Sequence, residues 1–371
     1  MKRKVLHRLL AVLLGLVVAF ASIEIVLRLT LPPVDLRDLS GKRAGTHPMA
    51  DWAHVDAYCA YRGIPGTYLH VGKSKTVNSD GFISTPEVSR EKDRDTIRIV
   101  FLGGSSTAGT VPILPDEKTW PALVAKKLDE ALPKKRVDFI NGALAGYNTF
   151  ESYARLWARL RFYQPDLVVV YHGWNDMGYF RNPARTAWRH VPASGGWSFL
   201  RPAIRSRIEP RWIDPYIEWS HLMCRIRRRY FSEPLMGEIG PGAGGELADD
   251  FDPRAPDVFR DNLKLMMKAQ EVIGCEVHVA KQATLIVPDL AENLRSKCMV
   301  HYHGFDFDAH VRAFDAIYRL IDEVVPQDQV IDLTHLSGKN ANLVDHIHLS
   351  EEGCRRVADA VAARLLKRLA P

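Results

Sequence analysis

The sequence predicts an α/β protein with about five parallel strands in one sheet and helices covering both faces. Two observations carry this expectation. Short, β-branched, uninterrupted apolar runs alternate with amphipathic helical stretches five times between residues 97 and 370. Three of those runs end in a glycine followed within a few residues by Ser, Asn or another glycine, which is how strands leave the carboxyl edge of an open sheet for a ligand-binding turn.

The elements follow in order. Lys2, Arg3, Lys4 and Arg8 precede an apolar stretch over residues 9–23 that continues to Leu31, interrupted only by Glu24 and Arg28. Counted to Leu31 it is long enough to span a bilayer, with Arg28 snorkelling toward the far interface. Ala19-Phe20-Ala21 also has the small-x-small form of a signal cleavage site. Residues 1–31 are therefore expected to be an uncleaved membrane anchor, the alternative being a cleaved signal peptide. On either reading the rest of the chain is exported, to the periplasmic or extracellular side. Residues 32–94 read as a linker and lead-in segment, in which Asn78-Ser79-Asp80-Gly81-Phe82 forms a turn that sets Phe82 against the main domain.

The main domain is expected over residues 95–371. Residues 97–102 form its first strand. Thr119 starts a helix with Trp120, Leu123, Val124, Leu128 and Leu132 on one face, stopped by Pro133. Residues 137–140 form the second strand. Thr149 opens a helix expected to turn Phe150, Tyr153, Trp157 and Leu160 inward. Residues 167–171 form a third strand, 256–273 a helix broken at Gly274, and 276–285 a fourth strand. A helix over 308–324, a strand over 330–333 and a last helix capped by Ser350 complete the pattern. An insert at about 181–255 breaks the rhythm. It carries Trp188, Trp197, Trp212 and Trp219, many arginines and a glycine-rich end, and reads either as a lid or substrate platform or as a surface subdomain facing lipid headgroups.

Four blocks bear chemistry. The first is Gly103-Gly104-Ser105-Ser106-Thr107-Ala108-Gly109, and the second is Gly142-Ala143-Leu144-Ala145-Gly146-Tyr147-Asn148. The third is Gly173-Trp174-Asn175-Asp176, and the fourth is Asp345-His346-Ile347-His348. In order they supply Ser, Gly, Asn and Asp-x-x-His. This chain resembles the SGNH (GDSL-type) hydrolases of the membrane-anchored bacterial type over roughly residues 95–370. The resemblance implies a three-layer α/β/α flavodoxin-like fold and a serine esterase. It implies Ser105 as nucleophile, His348 as base and Asp345 as its partner. It also implies an oxyanion hole made by the backbone N–H groups of Ser105 and Gly146 and the side-chain amide of Asn175. Gly104 departs from the family pattern, which has Asp there.

The chemistry fits those residue types. A serine hydroxyl attacks only if an adjacent base takes its proton, and an imidazole does so when a carboxylate orients it and stabilises its charged form. Fixed donors are needed for the oxyanion of the tetrahedral intermediate. His346 is expected to be a neighbour rather than the base, and His172, at a strand end before Gly173, to contact substrate or to make a structural hydrogen bond. The expected reaction is cleavage of an ester, an O-acyl group on a glycan or lipid, through an acyl-serine intermediate. The alternatives are O-acyl transfer to a cell-envelope polysaccharide, or a non-catalytic envelope glycan-binding or assembly protein with the same fold. The net charge of +6 is modest and the basic residues are spread out except in the one insert, which gives little support to a nucleic-acid partner. No His, Cys, Asp and Glu spacing suggests a metal, and no cofactor is expected. Five cysteines leave at least one thiol unpaired within a monomer. The expected partners are a small-molecule, lipid or glycan ester and the membrane.

Overall fold

The computed structural model describes residues 2–31, 53–56, 58–70, 73–180, 212, 214–226 and 247–369. Much of the 181–255 insert read as a lid or surface subdomain lies outside the described residues.

The main sheet has five strands: β5 (Thr96–Gly103), β6 (Arg136–Asn141), β7 (Leu167–His172), β8 (Glu276–Lys281) and β9 (Val330–Asp332). The order is β6-β5-β7-β8-β9 and every pairing is parallel. Parallel strands buried on both faces read as continuous apolar runs. Leu167–His172 is buried at every position, and β5 at all but one. The fourth strand ends at Lys281, sooner than its apolar run, because the chain turns off the sheet at Gln282, whose side-chain oxygen accepts from Trp174 N at 2.8 Å.

Connections between parallel strands are right-handed, so the direction in which the chain moves across the sheet decides the face of each crossover helix. From β5 the chain steps one way to β6 through α3 (Trp120–Ala131). It then steps the other way through α4 (Thr149–Ala158), α7 (Asp257–Ile273) and α9 (Phe307–Val324). That reversal puts α4, α7 and α9 on one face. The short helix α8 (Glu292–Arg295) precedes α9, and the last helix, α10 (Glu351–Leu369), packs against α3 on the other face. The reversal at β5 and β7 is also the switch point where open α/β sheets bind ligands. Ser105 follows β5 and Asn175 follows β7.

Two helix expectations shift in detail. Thr119 precedes α3, but its hydroxyl donates back to Asp116 O at 2.8 Å instead of capping the helix. In α4 the buried face is Thr149, Glu151, Ser152, Arg155 and Leu156, while Trp157 is 37% exposed. Polar bonds override the apolar stripe here. Asn148 and Glu151 form a reciprocal capping box, and Thr149 is held by Asp176. Gly274 ends α7 in the left-handed conformation, and Ser350 caps α10 by accepting from Gly353 N at 3.0 Å.

The lead-in segment forms two antiparallel pairs, β1 (Ala53–Asp56) with β2 (Ala60–Gly63) and β3 (Gly66–His70) with β4 (Lys73–Val77). The Asn78 carboxamide oxygen accepts from the N–H groups of Asp80 and Phe82 in the expected turn. Phe82 is buried, edge-on to Tyr163. Cys59, Tyr61, Val77 and Ile83 join Ala108, Ala143, Leu144, Ala145 and Tyr147 in a second apolar cluster. The lead-in thus packs beneath the loops that follow β5 and β6. All five cysteines are free thiols.

The N-terminal helix α1 (Lys2–Thr30) has 29 residues, about 43 Å at 1.5 Å per residue. It is long and apolar enough to cross a membrane, as a signal sequence or an anchor would be.

Candidate active site

The two glycines before Ser105 are dictated by space. A Cβ on Gly103 would lie 2.1 Å from Thr107 Oγ1, and one on Gly104 would lie 2.5 Å from Asn175 Nδ2. The Asn175 amide thus lies directly against the serine turn. Ser105 opens the short helix α2 (Ser105–Ala108). Its neighbour Ser106 donates to Ile347 O at 2.9 Å, tying the serine turn to the Asp345–His348 loop. That loop is closed by the Leu343–Leu349 bridge and by Val344 N donating to His348 O at 2.9 Å.

The structure brings Ser105, His348 and Asp345 into one line. Ser105 Oγ and His348 Nε2 are 2.7 Å apart, and His348 Nδ1 is 2.6 Å from Asp345 Oδ2. The other carboxylate oxygen accepts from the backbone N–H groups of Ile347 and His348 at 3.0 and 2.9 Å. Burial works to raise the Asp345 pKa, but the His348 hydrogen bond and charge, His346 and the Ile347 N–H outweigh it and hold the carboxyl well below its usual range. Asp345 is ionised, which fixes the proton of His348 on Nδ1 and turns the Nε2 lone pair toward the serine. Ser105 and His348 are each 8% exposed.

Gly146 and Asn175 lie at the adjoining turns. Gly146 has φ +81°, a conformation that favours glycine. Neither the Ser105 nor the Gly146 N–H pairs with a backbone carbonyl among the described residues. Asn175 Nδ2 donates to Tyr147 O at 2.8 Å, which leaves the second N–H of the amide for another acceptor. Asp176, next in sequence, accepts from Thr149 N at 3.0 Å and from the Thr149 hydroxyl, and Asn262 Nδ2 donates to that hydroxyl at 2.9 Å. Asp176 thus takes the first N–H of α4, beside the Asn148 capping box, and the Asn175 amide lies against the serine turn at Gly104.

His346 and His172 do not reach the serine. His346 is buried against the Trp174 ring, with centroids 4.2 Å apart. Burial, opposed by Asp345 and helped by His348 and His310, pushes it down to about 3. His172 is fully buried, bonded to Ser152 Oγ at 2.7 Å, and burial lowers it to about 3. Among the described residues no cluster of His, Cys, Asp and Glu has the form of a metal site.

Sequence reasoning missed one contributor. Tyr61 of the lead-in donates its phenol to Ala145 O, and Tyr147 donates its own to Tyr61 O, with the rings edge-on at 4.9 Å. Burial pushes both phenols well up, so both remain O–H donors. No motif or periodicity marks Tyr61, because its partner lies 84 residues away.

Residues 101–356 match the GDSL-like lipase/acylhydrolase family, more than half of the chain. The chain belongs to that family. A segment of 79 residues is 38% identical to an arylesterase of Vibrio mimicus, covering 21% of this chain and 38% of that protein. The match thus spans well under half the length of that relative. Among solved structures, the acetyl xylan esterase AlAXEase aligns with 72% of this chain and 98% of its own, at 14% identity and a TM-score of 0.41. TesA aligns with 73% and 99%, at 18% identity and the same TM-score. Every residue of the four blocks falls inside the family match.

Proposed function

We propose that this chain is a membrane-anchored serine esterase whose domain is exported, cleaving O-acyl esters of a glycan or lipid through an acyl-serine intermediate. The observation that supports it most is the chain of short contacts from Asp345 through His348 to Ser105 Oγ, at 2.6 and 2.7 Å. Ser105 Oγ attacks the ester carbonyl while His348 Nε2 takes its proton. Asp345 keeps the imidazole oriented and stabilises the imidazolium. The carbonyl oxygen becomes an oxyanion facing the N–H groups of Ser105 and Gly146 and the free N–H of Asn175. His348 returns the proton to the leaving alcohol. Water then repeats the sequence on the acyl-serine and frees the carboxylic acid. The Lys and Arg flank at residues 2–8 supports a cytoplasmic N-terminus and an exported domain.

The test is kinetic. Ser105→Ala should abolish hydrolysis of short p-nitrophenyl esters, and Ser106→Ala should retain much of it. Asn175→Ala should lower kcat by about 100-fold or more, because one oxyanion donor contributes about 2.7–4 kcal/mol. An Asn175→Ala protein with wild-type kcat would remove Asn175 from the site.

A further inference from the structure

Glu24 is a carboxylate inside an apolar helix, and it is 5% exposed although most of α1 is bare. A charged group in such a helix is costly unless it is paired. Here it is saturated. It accepts from Ser220 Oγ at 2.8 Å and from the backbone N–H groups of His221 and Leu222 at 2.8 and 2.9 Å. Arg28 Nε adds a bond at 2.7 Å. These donors lie at the junction of two short insert helices, α5 (Asp214–Trp219) and α6 (His221–Ile226). Arg28 also donates to Trp219 O at 2.6 Å and lies 4.5 Å over the Trp219 ring. Glu24 and Arg28 therefore fasten a segment 191 or more residues away to the last turns of α1.

That attachment sets a depth. Residues 9–31 extend roughly 34 Å as helix, close to the thickness of a hydrocarbon core of about 30 Å. With the basic flank at one surface, Glu24 and Arg28 come near the opposite boundary, and α5 and α6 come with them. Trp212, Tyr216 and Trp219 of this segment are 81, 69 and 68% exposed. Tryptophan and tyrosine are the side chains that favour the headgroup level, where the ring is half in apolar surroundings and its polar edge stays wet. The sequence continues through Arg225 to Arg227, Arg228 and Arg229, four cations suited to anionic headgroups. We propose that α5 and α6 form a lipid-facing platform, locked to the anchor by Glu24 and Arg28, with Trp212, Tyr216 and Trp219 in the headgroup layer. This rests on the reading of α1 as a retained anchor.

The experiment uses the full chain in vesicles of phosphatidylcholine and phosphatidylglycerol carrying a doxyl quencher either near the headgroups or deep in the acyl chains. Flotation is read first. Wild-type protein that does not float refutes the anchor, and the platform with it. In floating protein, the shallow quencher should suppress more tryptophan emission than the deep one, and Trp212→Phe/Trp219→Phe should lose that shallow component. Glu24→Leu should still float but lose the same component, since the lock is gone. Equal shallow quenching in wild type and the double variant, or a Glu24→Leu protein quenched like wild type, overturns the platform and leaves the anchor standing. Such a result would turn the aromatics toward protein instead of lipid.

Discussion

At the residue scale, Tyr61, outside the four blocks, and Gly104, within the serine block, bear on how the proposed oxyanion donors are held. A trans peptide is planar, so its C=O and N–H point in opposite directions. The Ala145 carbonyl and the Gly146 N–H belong to one such plane, and Tyr61 holds the carbonyl end from below. Tyr61→Phe keeps the ring in its cluster and removes the hold. It should lower kcat about tenfold with KM little changed, because an interaction made mainly in the transition state is loosened. A raised KM at constant kcat would assign Tyr61 to substrate binding or to folding alone. Gly104 makes the opposite kind of statement. Gly104→Asp restores the residue found in the family pattern, yet its Cβ would have to displace the Asn175 amide. Steady-state kinetics should show kcat falling about tenfold or more, with Ser105 still present and correctly paired to His348. A Gly104→Asp protein as active as the parent would mean that Asn175 does not work from the position seen here.

At the element scale, the strand ends were legible in the sequence and the helix faces less so. Ser105, Asn175 and the Asp345-x-x-His348 pair could be read because β5, β7 and the Leu343–Leu349 loop present them one after another at the same edge of the sheet. The inward face of α4 could not, because Asn148, Glu151 and Asp176 fix its first turn by polar bonds that leave no trace in apolar periodicity. Those buried polar groups predict a pH response. Burial lowers His172 and His346 to about 3 and His310 to about 4, and it drives His303, which also faces His310 and His346, well down. Each of them contributes stability above its unfolded value that is lost as pH falls toward the folded value. Glu151 and Asp176 act in reverse, since burial raises both to about 7. They stabilise at low pH and lose that contribution as pH rises toward 7. Near pH 5 the four histidines take up protons on unfolding while the two acids release them, so the larger group sets the sign and acidification favours unfolding. Thermal melts should show Tm falling from pH 6 to 5, with a shallower fall in His310→Gln. A Tm that rises over that interval would show that the acids, not the histidines, dominate.

At the scale of the whole molecule, three parts converge on one sheet edge. The five-stranded sheet supplies the serine and asparagine turns, the lead-in strands support the Gly146 turn, and α1 is fastened to the insert that follows Asn175. The first was readable from apolar runs and glycines. The other two were not, since they depend on contacts such as Tyr61 to Ala145 and Glu24 to Ser220, between segments far apart in sequence with no shared motif. The proposed function requires this assembly to activate one serine. The most direct measurement is to treat the full-length protein in its membrane fraction with a fluorophosphonate probe, digest it, and locate the adduct by mass spectrometry. A single phosphonylated serine, Ser105, is expected, with labelling lost in His348→Ala. An adduct on Ser106 or elsewhere, or undiminished labelling of His348→Ala, would contradict the proposed function.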